Sequence, residues 1–357
     1  MSRISFNNKP NPFFQSLKLK VDTYFDGTKK SRSGNRHLFI KNTVLIASLV
    51  SLYTVLVFFT PHAVVSILLC MLLGACLALI GFNIMHEGAH QSISKYKWLN
   101  SVSAYALNMM GGTTHFWKLK HNISHHTYTN ISGEDHDLNL KPLLRLDVNQ
   151  PRYWFHRYQH YYWLFLYSIT YISWVFFQDF QKYFSGRMAS GAAEKHHYAV
   201  KEHFIFWITK LVYITVFILV PVLFAGAAHT LAGFLIAAIV CGIFISVVFQ
   251  LAHVVETTEF PVPSPDSACI ENEWALHQVA TTSDFSTGNK TISWMLGGLN
   301  FQVEHHLFPK VSHVYYPQLR KMVKETCKEF DVTYHEFPSV YRAFRSHLLY
   351  LKRLGRA

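Results

Sequence analysis

The chain has 357 residues, half of them hydrophobic and only 15% charged, against about 25% charged in an average soluble domain. That composition excludes a disordered chain, and 17 Gly and 5 Cys exclude collagen-like and disulfide-scaffold classes. There are 33 Lys+Arg against 21 Asp+Glu, a net +12; in so apolar a chain the excess is assigned to cytosolic loops under the positive-inside rule, not to nucleic-acid binding.

Residues 1–41 are polar and basic, from Arg3 and Lys9 to Lys41, with no apolar stretch of a signal peptide. Residues 42–86 contain no Asp, Glu, Lys or Arg, and break at Thr60-Pro61-His62. A bilayer takes about 20 apolar residues per helix, so 42–86 is expected to be a transmembrane hairpin. Residues 87–204 are expected to form a cytosolic segment, interrupted by the aromatic run 158–178. Residues 205–253 are a second charge-poor hairpin, broken around Ala225 to His229, with Pro221 expected to kink its first arm. Residues 254–357 return to the cytosolic side. There Leu319, Val323, Cys327 and Phe330 fall near helical spacing and predict an amphipathic helix packed on the cytosolic domain.

The run 158–178 is long enough to cross, but aromatic helices with polar ends favour the interface. Histidine clusters flank it on both sides in sequence. If they meet at one site, an even number of crossings separates them, and the second hairpin already supplies two. The expected fold is therefore an all-α membrane protein. It has four transmembrane helices in two hairpins, one interfacial helix, and a cytosolic helical cap holding a histidine-rich di-metal site.

The 22 histidines carry the chemistry. His86 and His90 are spaced i,i+4, as are His121 and His125, so each pair shares a helix face and can hold one metal. His125-His126 and His305-His306 are adjacent and diverge by about 100° on a helix, so they point to different centres. His253 ends the last apolar stretch. Eight imidazoles are too many for one ion of the usual four-coordinate kind, which predicts two metals. Imidazole suits iron, zinc and copper alike. Gln302, Glu87, Asp135, Asp137, Glu256, Glu304, His277 and His313 are candidates to bind metal or to orient its ligands. Glu134, His115 and His136 lie near by in sequence. His62, His156, His160, His196, His197 and His229 are assigned no role in the site. His86-Glu87-x-x-His90 also matches the zinc-protease helix, but that chemistry would leave the other clusters idle.

These residues resemble the membrane-bound fatty acid desaturases, specifically the front-end acyl desaturases and bacterial linoleoyl-CoA-desaturase-like members. The resemblance rests on His86-Glu87-Gly88-Ala89-His90 and on Trp117 to His121 leading into His125-His126-Thr127-Tyr128-Thr129-Asn130. It rests most on Gly297-Gly298-Leu299-Asn300-Phe301-Gln302-Val303-Glu304-His305-His306-Leu307-Phe308-Pro309, followed by Ser312 to Pro317. It covers roughly residues 35 to 345. It implies a four-span fold with a cytosolic cap, a narrow kinked tunnel for the acyl chain, and a di-iron centre. The implied ligands are His86, His90, His121, His125, His126, His253, His305 and His306. Gln302 stands where many desaturases have histidine, which is the front-end pattern.

The resemblance further implies O2 as co-substrate and two Fe2+ ions. The product is a cis double bond in a fatty acyl chain, carried as acyl-CoA or in a phospholipid, with delta-6-like regiochemistry. General bases of ordinary pKa cannot break an unactivated methylene C–H, so metal chemistry is required. A hydroxylase on the same scaffold is the nearest rival; a transporter would need charges within the spans. The His-Pro-Gly-Gly motif of a fused cytochrome b5 domain is absent, so electrons are expected from a separate ferredoxin, or a cytochrome b5 with its reductase. The expected place is the cytosolic face of a bacterial inner membrane.

Overall fold

The computed structural model describes residues 4–7, 12–138, 140–188 and 196–357; Arg3 and Lys9 of the N-terminal basic segment lie outside these. The chain is mostly helical. The described strands are two short parallel pairs, Ser5–Phe6 with Cys269–Ile270 and Asp284–Phe285 with Glu336–Phe337. The chain divides into two compact units. A span unit comprises 35–119 and 163–247; a histidine unit comprises 1–34, 120–162 and 248–357. Segments 87–119 and 163–204, expected in the cytosolic cap, thus pack with the spans.

Among the described residues four helices are long and apolar enough to cross a membrane: Arg36–Phe59, Ala63–Ala89, Val200–Ala225 and Ala227–His253. Asn35 starts the first, its side chain accepting from the Leu38 amide, which satisfies an otherwise orphaned donor. Thr60 then turns the chain with φ 41° ahead of Pro61, and Gly226 turns the second hairpin with φ 84°. Ile46, Val50, Phe58 and Phe59 stand exposed on the first span, a face that belongs in lipid. Gly74 lies so close to the Ala237 backbone that a Cβ could not fit, and small residues of this kind allow close approach of spans.

Pro221 sits just beyond a π-helical segment, Thr215–Leu219. The wider turn accommodates the missing N–H and the ring that would press on the preceding carbonyl. A second π segment, Gly81–Met85, directly precedes His86.

The aromatic run is not one of the four spans. It breaks at Ile169 into helices Gln159–Ser168 and Thr170–Ser173, then a π segment and helix Asp179–Ser185. Tyr171 anchors it, donating to the Met110 carbonyl at 2.7 Å and lying 3.0 Å from the Tyr213 hydroxyl. Lys210 of the third span is buried, 3.2 Å from Asp179, and also donates to the Gly111 and Val175 carbonyls. Thr113 adds a 2.7 Å bond to the same carboxylate. A cavity of about 290 Å3 lies inside this unit, lined by apolar residues including Tyr53, Cys70, Phe217 and Gly233.

The histidine unit has its own core. Phe13, Leu17, Val21 and Phe25 recur every fourth residue along helix Pro12–Thr28, so they form one stripe. They pack with Leu319, Val323 and Cys327 of helix Tyr316–Glu329 and with Phe301 and Val303. Burying each such side chain contributes roughly 1.5–3 kcal/mol. The N-terminal segment, read from its charges as a polar tail, is therefore in part a core helix. Helix Val340–Leu354, capped by Ser339, closes the chain; its His347 bonds the Val254 carbonyl at 2.6 Å.

Candidate metal centre

Three short stretches bring six histidines together in the histidine unit. A π segment, Lys118–His125, runs into the single turn His126–Tyr128 and carries His121, His125 and His126. His253 ends the fourth span. Helix Gln302–Leu307 carries His305 and His306. All six are buried.

Asn130 holds the stretches in register. It sits at φ 59°, a left-handed conformation that asparagine tolerates. Its side-chain amide donates to the carbonyls of His253 (3.0 Å), Glu259 (2.9 Å) and Thr281 (3.2 Å).

The rings form overlapping triads. His125, His253 and His306 bring ligand atoms within 4.8 Å of one another, and so do His126, His305 and His306. Ring centroids are 4.6 Å apart for His125–His253 and 4.3 Å for His126–His306. His121 and His125 form a further group with Asp137. Phe249 lies against His125 and His253, at 5.1 and 4.9 Å, as an apolar wall.

Most of these rings have one nitrogen fixed by the protein. Nδ1 of His121 meets Asp137 at 2.8 Å and Nδ1 of His125 meets Asp135 at 2.9 Å. Nδ1 of His306 meets Gln278 Oε1 at 2.8 Å, and Nδ1 of His305 meets the Tyr316 hydroxyl at 3.1 Å. Metal-bound histidines are held in this way, with tautomer and ring orientation set by the outer partner, which directs Nε2 to the metal. Nε2 of His125 is buried with no hydrogen-bond partner among the described residues, as suits an imidazole placed to bind a cation.

Gln302 does join the cluster: its amide Nε2 lies 2.9 Å from Nε2 of His253, and donates to it in this arrangement. Its Oε1 is buried without a partner among the described residues, a second donor atom beside the triads.

The electrostatics follow from the carboxylates. Burial works to raise the Asp137 carboxyl, but Lys120 at 2.7 Å and the His121 bond outweigh it and hold it well below its usual range. Burial pushes His121 down. For His125 burial is outweighed by Asp135, Asp137 and the Asp135 bond, and its value rises. Asp135 also accepts from the Asn130 and Asp137 amides, both at 2.9 Å.

Glu304 faces the other way. Its Oε1 and the Asp284 carboxyl both meet the Tyr334 hydroxyl, at 3.0 and 2.5 Å. Burial raises both carboxyls, Asp284 to about 6 and Glu304, with repulsion from Asp284, well above its usual value.

The remaining candidates are dispersed. His277 is buried with its ring 5.1 Å from that of Phe6, and burial lowers it to about 4. His313 is buried beside Gly298. Glu256 is exposed and bonds Ser346. His156 is a structural cap, accepting from the Tyr153 amide and donating to the Pro142 carbonyl. In the span unit His86 and His90 are buried with centroids 4.7 Å apart, and Trp117 packs on both at 5.6 and 5.9 Å. Glu87 beside them is buried within electrostatic reach of Lys41, and His115 of the same unit lies 3.7 Å from Glu202. The sequence reading missed Gln278, Asn130 and Tyr316 as orienting residues; Asn130, directly following the second box, and Tyr316, in the stretch Ser312 to Pro317, carried a signal, and Gln278 carried none.

Comparisons with known proteins agree with this site. Residues 61–338 match the family model described as fatty acid desaturase. The chain is 33% identical over 362 residues to the sn-1 linoleoyl-lipid 6-desaturase of Arthrospira platensis, covering 99% of this chain and 95% of that protein. It is 31% identical to the sn-1 linoleoyl-lipid 6-desaturase of Synechocystis sp., over 99% of this chain and 98% of that one. It is 32% identical to an acyl-lipid (8-3)-desaturase of Physcomitrium patens, over 96% of this chain and 72% of that one. The buried histidine clusters and these matches lead to one conclusion: the chain belongs to the fatty acid desaturase family and is a fatty acyl desaturase of front-end type.

Proposed function

We propose that this enzyme inserts a cis double bond into the acyl chain of a membrane lipid, on the carboxyl side of an existing double bond, using two ferrous ions and O2. The overlapping imidazole triads carry the reading. The proposed ligands are His86, His90, His121, His125, His126, His253, His305 and His306. The donor set fits iron: neutral imidazoles suit it, and eight of them exceed one four-coordinate site and so provide for a pair of ions. When bound, the iron pair supplies O2-dependent removal of hydrogen from unactivated carbon.

The chain's own residues do the rest. Asp137, Asp135, Gln278 and Tyr316 hold four imidazoles in fixed tautomers and directions. Gln302 holds His253 and offers Oε1 as a further donor. Phe249 and the surrounding burial exclude water. The apolar cavity of the span unit suits the methyl end of a hydrocarbon chain. The lipid-linked substrate and 6-position follow the Arthrospira and Synechocystis relatives.

Electrons come from a separate donor, a ferredoxin or a cytochrome b5, which the net positive charge favours if the donor is acidic. The histidine site is placed on the cytosolic face, because the turns at 60–62 and 225–229 carry no Lys or Arg while the segments outside the spans are basic. A bacterial inner membrane fits the sequence likeness to bacterial members.

The test is a fatty-acid profile of a host expressing the chain with a compatible donor and fed defined C18 acids. A new double bond located by GC-MS, absent with His306→Ala, together with bound iron, is expected. Hydroxylated acids in its place would move the chain to the hydroxylase reaction. Bound zinc without iron would overturn the metal assignment.

A further inference from the structure

A second surface of the histidine unit has no part in the metal centre. The turn Trp154–Tyr158 and the start of helix Gln159–Ser168 pack against the end of helix Val340–Leu354. Gln159 donates to the Leu351 carbonyl at 2.8 Å and Arg152 to the Gly355 carbonyl at 3.0 Å. Gly355 comes so close to the His156 backbone that no side chain fits there. The two segments are therefore locked together.

Their outer face combines two features. Arg152, Arg157, Lys352, Arg353 and Arg356 converge on it. None of the five pairs with a carboxylate among the described residues. Arg157 instead lies over the Tyr158 ring at 4.8 Å and Arg353 over Tyr350 at 5.3 Å. Arg356 and Lys352 stand close enough to His160 to add to the effect of burial in lowering it. Cations on one surface repel one another, and an anion bound there relieves that repulsion.

The second feature is aromatic. Trp154 is 77% and Tyr161 72% exposed, and Tyr153 and Tyr158 are exposed beside them. Rings with one polar end and one apolar body sit at the headgroup level of a bilayer, and the cations beside them match the phosphates found at that level.

We propose that this face is a docking surface for anionic phospholipid headgroups, the five cations binding the phosphates and the aromatic residues seating among the upper acyl chains. A basic residue at such a surface strengthens binding about fivefold, so three of them contribute roughly a hundredfold.

The experiment uses the full chain in detergent and counts retained lipid by native mass spectrometry, with phosphatidylglycerol and phosphatidylcholine as probes. Two triple variants are compared. Arg157→Gln/Arg353→Gln/Arg356→Gln removes the patch; Lys290→Gln/Lys321→Gln/Lys328→Gln removes the same charge from exposed positions elsewhere. Thermal midpoints of both check folding, and Trp154→Ser tests the aromatic arm without touching a charge. The expected result is preferential retention of phosphatidylglycerol, lost roughly a hundredfold in the patch variant, weakened by Trp154→Ser and kept in the other triple variant. Equal retention of both lipids by the wild type, or equal loss in both triple variants, would overturn the proposal. So would a patch variant that keeps its lipid but loses turnover with an acidic electron donor, which would make the face a protein-docking site.

Discussion

Asp135→Asn isolates the role of a carboxylate that orients a metal ligand. Asp135 accepts three N–H groups: Nδ1 of His125 at 2.9 Å and the amides of Asn130 and Asp137. Asparagine has nearly the same shape, keeps one acceptor oxygen and loses the charge. The bond at risk is charge-assisted, worth about 1.5–3 kcal/mol. At about 1.4 kcal/mol per factor of ten, its loss weakens metal binding roughly 10- to 100-fold. Other outer-shell partners of metal-bound histidine cost about as much. The assay is competition between metal-stripped enzyme and a chromophoric Fe2+ chelator, with His125→Ala as the limiting case and the thermal midpoint of the apoprotein read alongside. The expected pattern is weaker metal binding with a modestly lowered apoprotein midpoint, because one oxygen that accepts a backbone amide becomes a donor. Wild-type affinity in Asp135→Asn, with affinity lost in His125→Ala, would refute the orienting role.

Asp179→Ala leaves Lys210 buried without its carboxylate and is expected to cost about 3–5 kcal/mol, read as a lower thermal midpoint in detergent; an unchanged midpoint would show that the carbonyls of Gly111 and Val175 suffice. Asp284, raised to about 6 from 3.8, stabilises the fold fully below its unfolded value and loses that contribution as pH rises through about 6. Asp284→Asn is therefore expected to flatten the fall of the midpoint between about pH 4 and 6; parallel profiles would count against the raised value. Gly233→Leu places side-chain atoms in the cavity, where a Cβ already stands 3.1 Å from Cys70 Sγ, and is expected to shift products to shorter acyl chains by GC-MS. An unchanged chain-length profile would exclude the cavity from substrate binding.

The spans were legible because a bilayer imposes a long uncharged run: 42–86 carries no charged residue and 205–253 only Lys210. The histidine boxes were legible as clusters; which rings share a centre was not, since His305 and His306, expected to point to different centres, lie in one triad with His126, and His121 and His125 sit on a π segment. Nor were the orienting roles legible. Gln278 and Tyr316 are ordinary residues far from the histidines they hold, joined to them only by folding. The N-terminal helix was hidden by the basic residues of the segment as a whole, while Phe13, Leu17, Val21 and Phe25 recur every fourth position inside it. Helix-pattern reading would have found that stripe; composition did not. The aromatic run was expected at the interface and is not among the four helices long and apolar enough to cross; its break at Ile169 and its packing in the span unit depend on contacts such as Tyr171 with Met110.

The π segments carry a consequence for how such a chain can change. Each holds one residue more than an α-helix of the same rise needs. At Gly81–Met85 the surplus falls between the lipid-facing stretch of a span and His86, and at Lys118–His125 it falls on the ligands themselves. One residue shifts everything beyond it by about 100°. The segment before His86 thus acts as a phase joint: the span can rotate its greasy face to suit a bilayer while the histidines keep their aim, so one part can diverge without dragging the other. Deleting a single residue there would leave composition, hydropathy and every motif intact and still point His86 and His90 the wrong way.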